Sequence, residues 1–158
     1  MKKLLLTAFV LLSLVFLSQA QTKHTIGEKF GGGIVFDVSA DGLHGIIVET
    51  IDQGMYAQWG DVHNKLNDKQ LHSDAGKAFT DWRLPTEGDW KKLCGNPQYY
   101  SLHFVPRFYW SSSMKNDKTR YFQDCGPSEL GSRSGRLSGY KLFVPGLADV
   151  VIRTVRDF

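Results

Sequence analysis

No hydrophobic run in this chain is long enough to span a bilayer. The leading one, Leu4 to Leu17, has 14 residues, and a spanning helix needs roughly 20. Cysteine is scarce, with Cys94 and Cys125 the only two. No Gly-x-Ser-x-Gly elbow, zinc helix or paired His and Cys signature is present, so hydrolase, zinc-protease and thiol-nucleophile chemistry find no support in the motifs. There is little net charge of either sign. The 19 basic and 16 acidic residues fall to 17 and 16, a net of +1, once Lys2 and Lys3 are set aside. A balance that even supplies no general attraction to nucleic acid or to a membrane surface, and neither is expected as a partner. There is no internal repeat, and a single domain is expected.

What is present begins with an export pattern. Lys2 and Lys3 precede the apolar run, and Ser18-Gln19-Ala20 sets small residues where a signal peptidase reads. Residues 1–20 are read as a signal peptide and 21–158 as one domain, exported to the periplasm, the cell surface or the medium. No cysteine follows the cleavage point, so a lipid anchor is not expected. An oxidising compartment makes a Cys94–Cys125 disulfide the expectation. It would close a 31-residue loop and contribute about 3.5 kcal/mol on the chain-entropy model. Two buried free thiols are the other reading, because spacing does not show that the Cα atoms come within bridging distance.

Ile34 to Val38 and Gly45 to Ile51 are rich in β-branched residues and flank the turn residues Ala40-Asp41-Gly42, the pattern of a hairpin. Met55 to Trp59 reads as a short strand and Gly60 to Ser73 as a solvated polar loop. Asp61, His63, Asn64, Asn67, Asp68, His72 and Asp74 are potential ligands there. Their spacing fits neither a zinc nor a calcium motif, so no metal and no cofactor is expected. Ser73 to Phe79 reads as a short helix. Phe108 to Ser113 and Thr119 to Asp124 read as paired strands around Lys115-Asn116-Asp117-Lys118, Gly126 to Gly139 as a loop, and Lys141 to Val144 and Val150 to Val155 as two last strands.

The packing centre is expected at Trp82-Arg83-Leu84-Pro85-Thr86-Glu87-Gly88-Asp89-Trp90. Pro85 keeps Leu84 extended, and Thr86 followed by Asp89 three residues later is a reciprocal helix cap. The helix should run to Cys94 and stop at Gly95-Asn96-Pro97. Trp82, Arg83, Pro85 and Trp90 are expected to be structural. Arg153 and Arg156 are expected to point to opposite faces of the last strand, where one of them pairs with an acid near Trp82 as a lock.

Five motifs in order carry a resemblance: Gly32-Gly33-Ile34-Val35-Phe36, Asp41 to Val48, Asp81 to Thr86, Tyr109 to Ser113, and Val151 to Arg156. Together they resemble the exported bacterial DUF1566 group, which includes the C-terminal domain of the Legionella collagen-like adhesin. The Arg83 to Glu87 stretch and the closing Arg153 to Asp157 are also similar to formylglycine-generating enzymes and to the Fibrobacter major paralogous domain. The resemblance implies an α+β, C-type lectin-like fold, with two short helices, small antiparallel sheets, and the N- and C-terminal strands paired. The catalytic cysteine pair of the formylglycine-generating branch has no counterpart here, nor have the calcium-binding motifs of true C-type lectins. The chain is therefore expected not to be an enzyme and not to need calcium.

The function expected is a binding module for acidic or sulfated glycans, in keeping with the adhesin-like relatives. Between Arg107 and Lys141 seven basic residues face three acidic ones. Trp110, Lys118, Arg120, Arg133, Arg136 and Lys141 are the candidate ligand residues, since Arg forks onto sulfate or carboxylate and an aromatic face stacks on a sugar. The alternative is a protein-binding display domain that carries variable loops between Lys115 and Gly139 and recognises a cell-surface protein.

Overall fold

The structure, a computed structural model, describes residues 21–54, 59–96, 102, 104, 108–116, 119–124, 141–142 and 150–158. The expected signal peptide, the expected strand residues Met55 to Gln58 and the expected loop from Gly126 to Gly139 lie outside these residues. Among the described residues two four-stranded sheets and two α-helices make an α+β arrangement. In the first sheet β1 (Lys29–Phe30), β2 (Gly33–Val38), β3 (Gly45–Glu49) and β8 (Val155–Asp157) lie in the order β1-β2-β3-β8, all antiparallel. In the second, β6 (Lys141–Leu142), β5 (Thr119–Asp124), β4 (Phe108–Asn116) and β7 (Val150–Val151) lie in the order β6-β5-β4-β7, with β4 and β7 parallel. The helices are α1 (Trp59–Asn67) and α2 (Glu87–Gly95).

The expected β2–β3 hairpin forms, with an extra residue, Phe36, bulged between Val35 and Asp37. Side chains alternate across a strand, so this sheet feeds a core on each face. Val35 and Ile47 pack with Trp82 on one side, while Phe36 and Val48 pack with Trp90 and Leu93 of α2 on the other. Gly33 sits so close to the Val48 carbonyl that a β-carbon there would collide with it. A third cluster joins Val62 of α1 to Trp110, Val150 and Ile152 at the second sheet.

Three expectations need correction. The last strand does not pair with Ile34 to Val38. The residues just before β2 fold back through Gly31 and Gly32, both at positive φ, so that Lys29–Phe30 occupies that edge; β8 joins β3 instead. Nor is Val150 to Val155 one strand. The chain pairs with β4 in the second sheet at Val150–Val151, bends at Arg153–Thr154, and pairs with β3 in the first. Finally, Gly60 to Ser73 is not a solvated loop. Trp59, Val62 and Leu66 repeat at i, i+3 and i+7, an apolar helical stripe that packs on the second sheet. Trp59 opens this helix and does not end a strand.

The expected helix between Ser73 and Phe79 is a single 3-10 turn, Gly76–Ala78. Among the described residues no helix is long and apolar enough to cross a membrane.

Candidate functional site

The Trp82–Trp90 corner wraps the edge of the first sheet. Arg83 and Val155 exchange backbone hydrogen bonds of 2.8 and 2.9 Å, which adds one rung outside β8. Pro85 then ends the extended stretch, and Thr86 caps α2: its hydroxyl accepts from the Asp89 N–H at 3.1 Å, while Asp89 Oδ2 accepts from the Thr86 N–H at 2.8 Å. The serines of β4 hold the corner from the other sheet. The Ser111 hydroxyl and the Ser112 N–H both donate to the Pro85 carbonyl, at 3.1 and 2.9 Å, and Ser113 Oγ accepts from the Glu87 N–H, one of the donors a helix start leaves unpaired. Trp82 donates to the Gly76 carbonyl and Trp90 to the Trp110 carbonyl.

Charge follows the same lines. Arg83 forks onto Asp157 at 2.8 and 3.0 Å and reaches Asp89 at 2.7 Å. Its guanidinium is held more firmly protonated than usual, first by Asp157 and then, against its burial, by Asp89. Burial pushes the Asp89 carboxyl up, but Arg83 and the two Thr86 donors together outweigh it and leave the group below the usual carboxylate range. Arg156 forks onto Asp81 at 2.8 and 2.9 Å, and that hydrogen bonding holds the Asp81 carboxyl low. Asp81 adjoins Trp82, so it is the acidic partner near the corner that the sequence left unnamed. The Arg156 guanidinium also lies 4.1 Å from the centre of the Phe79 ring.

Arg153 is 1% exposed and sits where the chain changes sheets. Its Nε donates to Asp52 at 2.6 Å, and Nη1 donates to the Glu49 and Leu102 carbonyls. Residues 49–54 run beside it. Gln53 Oε1 accepts from the Thr154 N–H at 2.7 Å, and Gly54 bridges Ile152. Asp52, Glu49 and Gln53 were not singled out from the sequence. Their signal was weak: polar residues at the end of a β-branched run look like the start of a loop.

A second buried polar group lies near this crossing. Glu49 and His72 are 0% and 4% exposed. Glu49 Oε2 lies 3.1 Å from His72 Nδ1, and Oε1 accepts from Ser73 Oγ at 2.7 Å and the Thr50 N–H at 2.8 Å. The other residues considered as metal ligands disperse. Asp61, His63 and Asn64 are exposed on α1, Asp68 caps the Gln70 N–H, and Asp74 pairs with Lys77. Among the described residues no three His, Cys, Asp or Glu side chains are grouped to hold a metal ion.

The candidate ligand residues meet the structure unevenly. Trp110 is 8% exposed and packs edge-on to Trp59 within the α1 cluster, so it offers almost no face to a sugar ring. Arg120 stands in β5 and Lys141 in β6, and the register sets them directly opposite each other. Lys118, Arg133 and Arg136 lie outside the described residues. So does Cys125. Cys94 is half-buried in the last turn of α2, against the Trp90 cluster.

No family model matches the chain, and no curated protein is significantly similar to it.

Proposed function

We propose that residues 21–158 form an exported, non-catalytic binding domain that takes an acidic or sulfated glycan on the β5–β6 side of the second sheet. The observation that carries this reading is the register of Arg120 opposite Lys141. Like charges directly opposite in a sheet are destabilising, and an anionic ligand between them removes that penalty. Lys115 and Lys118 flank the same end of the β4–β5 pair in sequence, and Arg133 and Arg136 fall in the connection that leads to β6.

The test is retention on immobilised heparin at low salt. Retention should fall sharply when Arg120, Arg133 and Arg136 are changed together to Ala, and the loss should shrink as salt screens the contact. A folded triple variant that elutes with the parent protein removes the proposal. A glycan array with and without chelator then identifies the sugar class.

A further inference from the structure

The imidazole of His72 is enclosed by three parts of the fold, and both ring nitrogens face acceptors. Nδ1 lies 3.1 Å from Glu49 Oε2 at the end of β3, and Nε2 lies 3.0 Å from the Leu66 carbonyl in the last turn of α1. The ring stacks on Trp82 at 5.5 Å between centroids and 17° between planes. A neutral imidazole has one N–H and one lone pair, so it can serve only one of these oxygens and turns its lone pair on the other. The imidazolium serves both. Leu66 also lies at the negative end of the α1 dipole, which favours a cation.

We infer that His72 is a protonation-dependent latch: as the imidazolium it ties α1 and the 68–79 connector to β3, and loss of its ring proton releases that segment. The surrounding charges support a single-site device. From β3 the ionisable neighbour is Glu49, whose other oxygen is taken by Thr50 and Ser73. From α1 the contact is a carbonyl. Asp61 and His63 of α1 are exposed, and Lys65 lies along Gly54. From the corner comes the uncharged Trp82. On the connector itself Asp68 is engaged with Gln70, and Asp74 with Lys77. Because only the doubly protonated ring can donate to both oxygens, the latch is closed at low pH and opens as pH rises.

Hydrogen exchange of the purified protein across about pH 5.5 to 8.5, corrected for intrinsic rates, tests this. Peptides covering residues 59–79 should lose protection with rising pH while those covering 87–95 do not. His72→Gln, which carries no titrating group, should remove the pH dependence, and His63→Gln should keep it. Protection that changes equally in both regions, or a dependence that survives in His72→Gln, overturns the latch. Should His72→Gln not fold, ring nitrogen chemical shifts of the parent protein decide: a doubly protonated ring below the transition supports the latch, and a neutral ring throughout overturns it.

Discussion

Arg153 Nε meets Asp52 Oδ1 at 2.6 Å across 101 residues of chain, at the point where the backbone passes from one sheet to the other. The same guanidinium donates to the Glu49 and Leu102 carbonyls and lies 4.6 Å from the centre of the Phe104 ring. Removing one member of a buried pair strands the others, so Arg153→Ala should lower unfolding free energy by about 3–5 kcal/mol. Arg153→Lys should recover little of it, since a point-charge ammonium cannot fork to Asp52 and two carbonyls. Urea unfolding of the three proteins measures this, and a loss below about 1 kcal/mol would show the pair to be incidental.

Acid should loosen the Trp82–Trp90 corner. Asp89 and Asp81 both titrate below the usual carboxylate range in the folded protein. A carboxyl whose folded pKa is depressed adds stability above its unfolded pKa of about 3.9 and loses it as pH falls through the folded value. Asp89→Asn should therefore be less stable than the parent near neutrality and lose less in acid. Denaturant midpoints at neutral and acid pH test it; parallel profiles for the two proteins would contradict the assignment.

Two glycines should respond oppositely to alanine. A β-carbon on Gly76 would run into Glu49 Oε2, whereas one on Gly60 meets nothing within 4 Å. Gly76→Ala should destabilise by about 1–3 kcal/mol through overpacking, and Gly60→Ala should stabilise α1 by up to about 1 kcal/mol. Thermal melts of both variants suffice, and a shift in the same direction for each would refute the contrast.

Thr154 is fully buried, and its hydroxyl has no hydrogen-bond partner among the described residues. Its backbone does the structural work, donating to Gln53 Oε1 and accepting from the Glu49 N–H. Thr154→Val keeps the branched shape and drops the unsatisfied hydroxyl, so a gain of about 1 kcal/mol is expected. Chemical denaturation showing a clear loss would mean that the hydroxyl is satisfied in solution.

Much of the fold could be read from local chemistry. The Thr86–Asp89 cap, the hairpin around Asp41-Gly42 and the β4–β5 pair all appear where the residues place them, because each is satisfied within a few positions of itself. α1 was missed because polar residues at 61, 63, 64 and 65 mask a three-residue apolar stripe. Its partner surface, Trp110 and Ile152, lies far along the chain. The basic cluster of the candidate site was visible as composition, but the burial of Trp110 was not. A Trp in an alternating strand looks the same whether its face meets ligand or helix.

By itself the sequence determined the α+β character, the capped helix after Pro85 and the strand pairs closed by short turns, since period-two alternation and capping act over short range. The tertiary structure decided which strand receives β8, where the C-terminal chain changes sheets, and which charges meet: Arg153 with Asp52, Arg156 with Asp81, His72 with Glu49. Those partners are 101, 75 and 23 residues apart. No local preference encodes them; they follow from burying both faces of the first sheet at once while pairing the charges that the described residues bring together there.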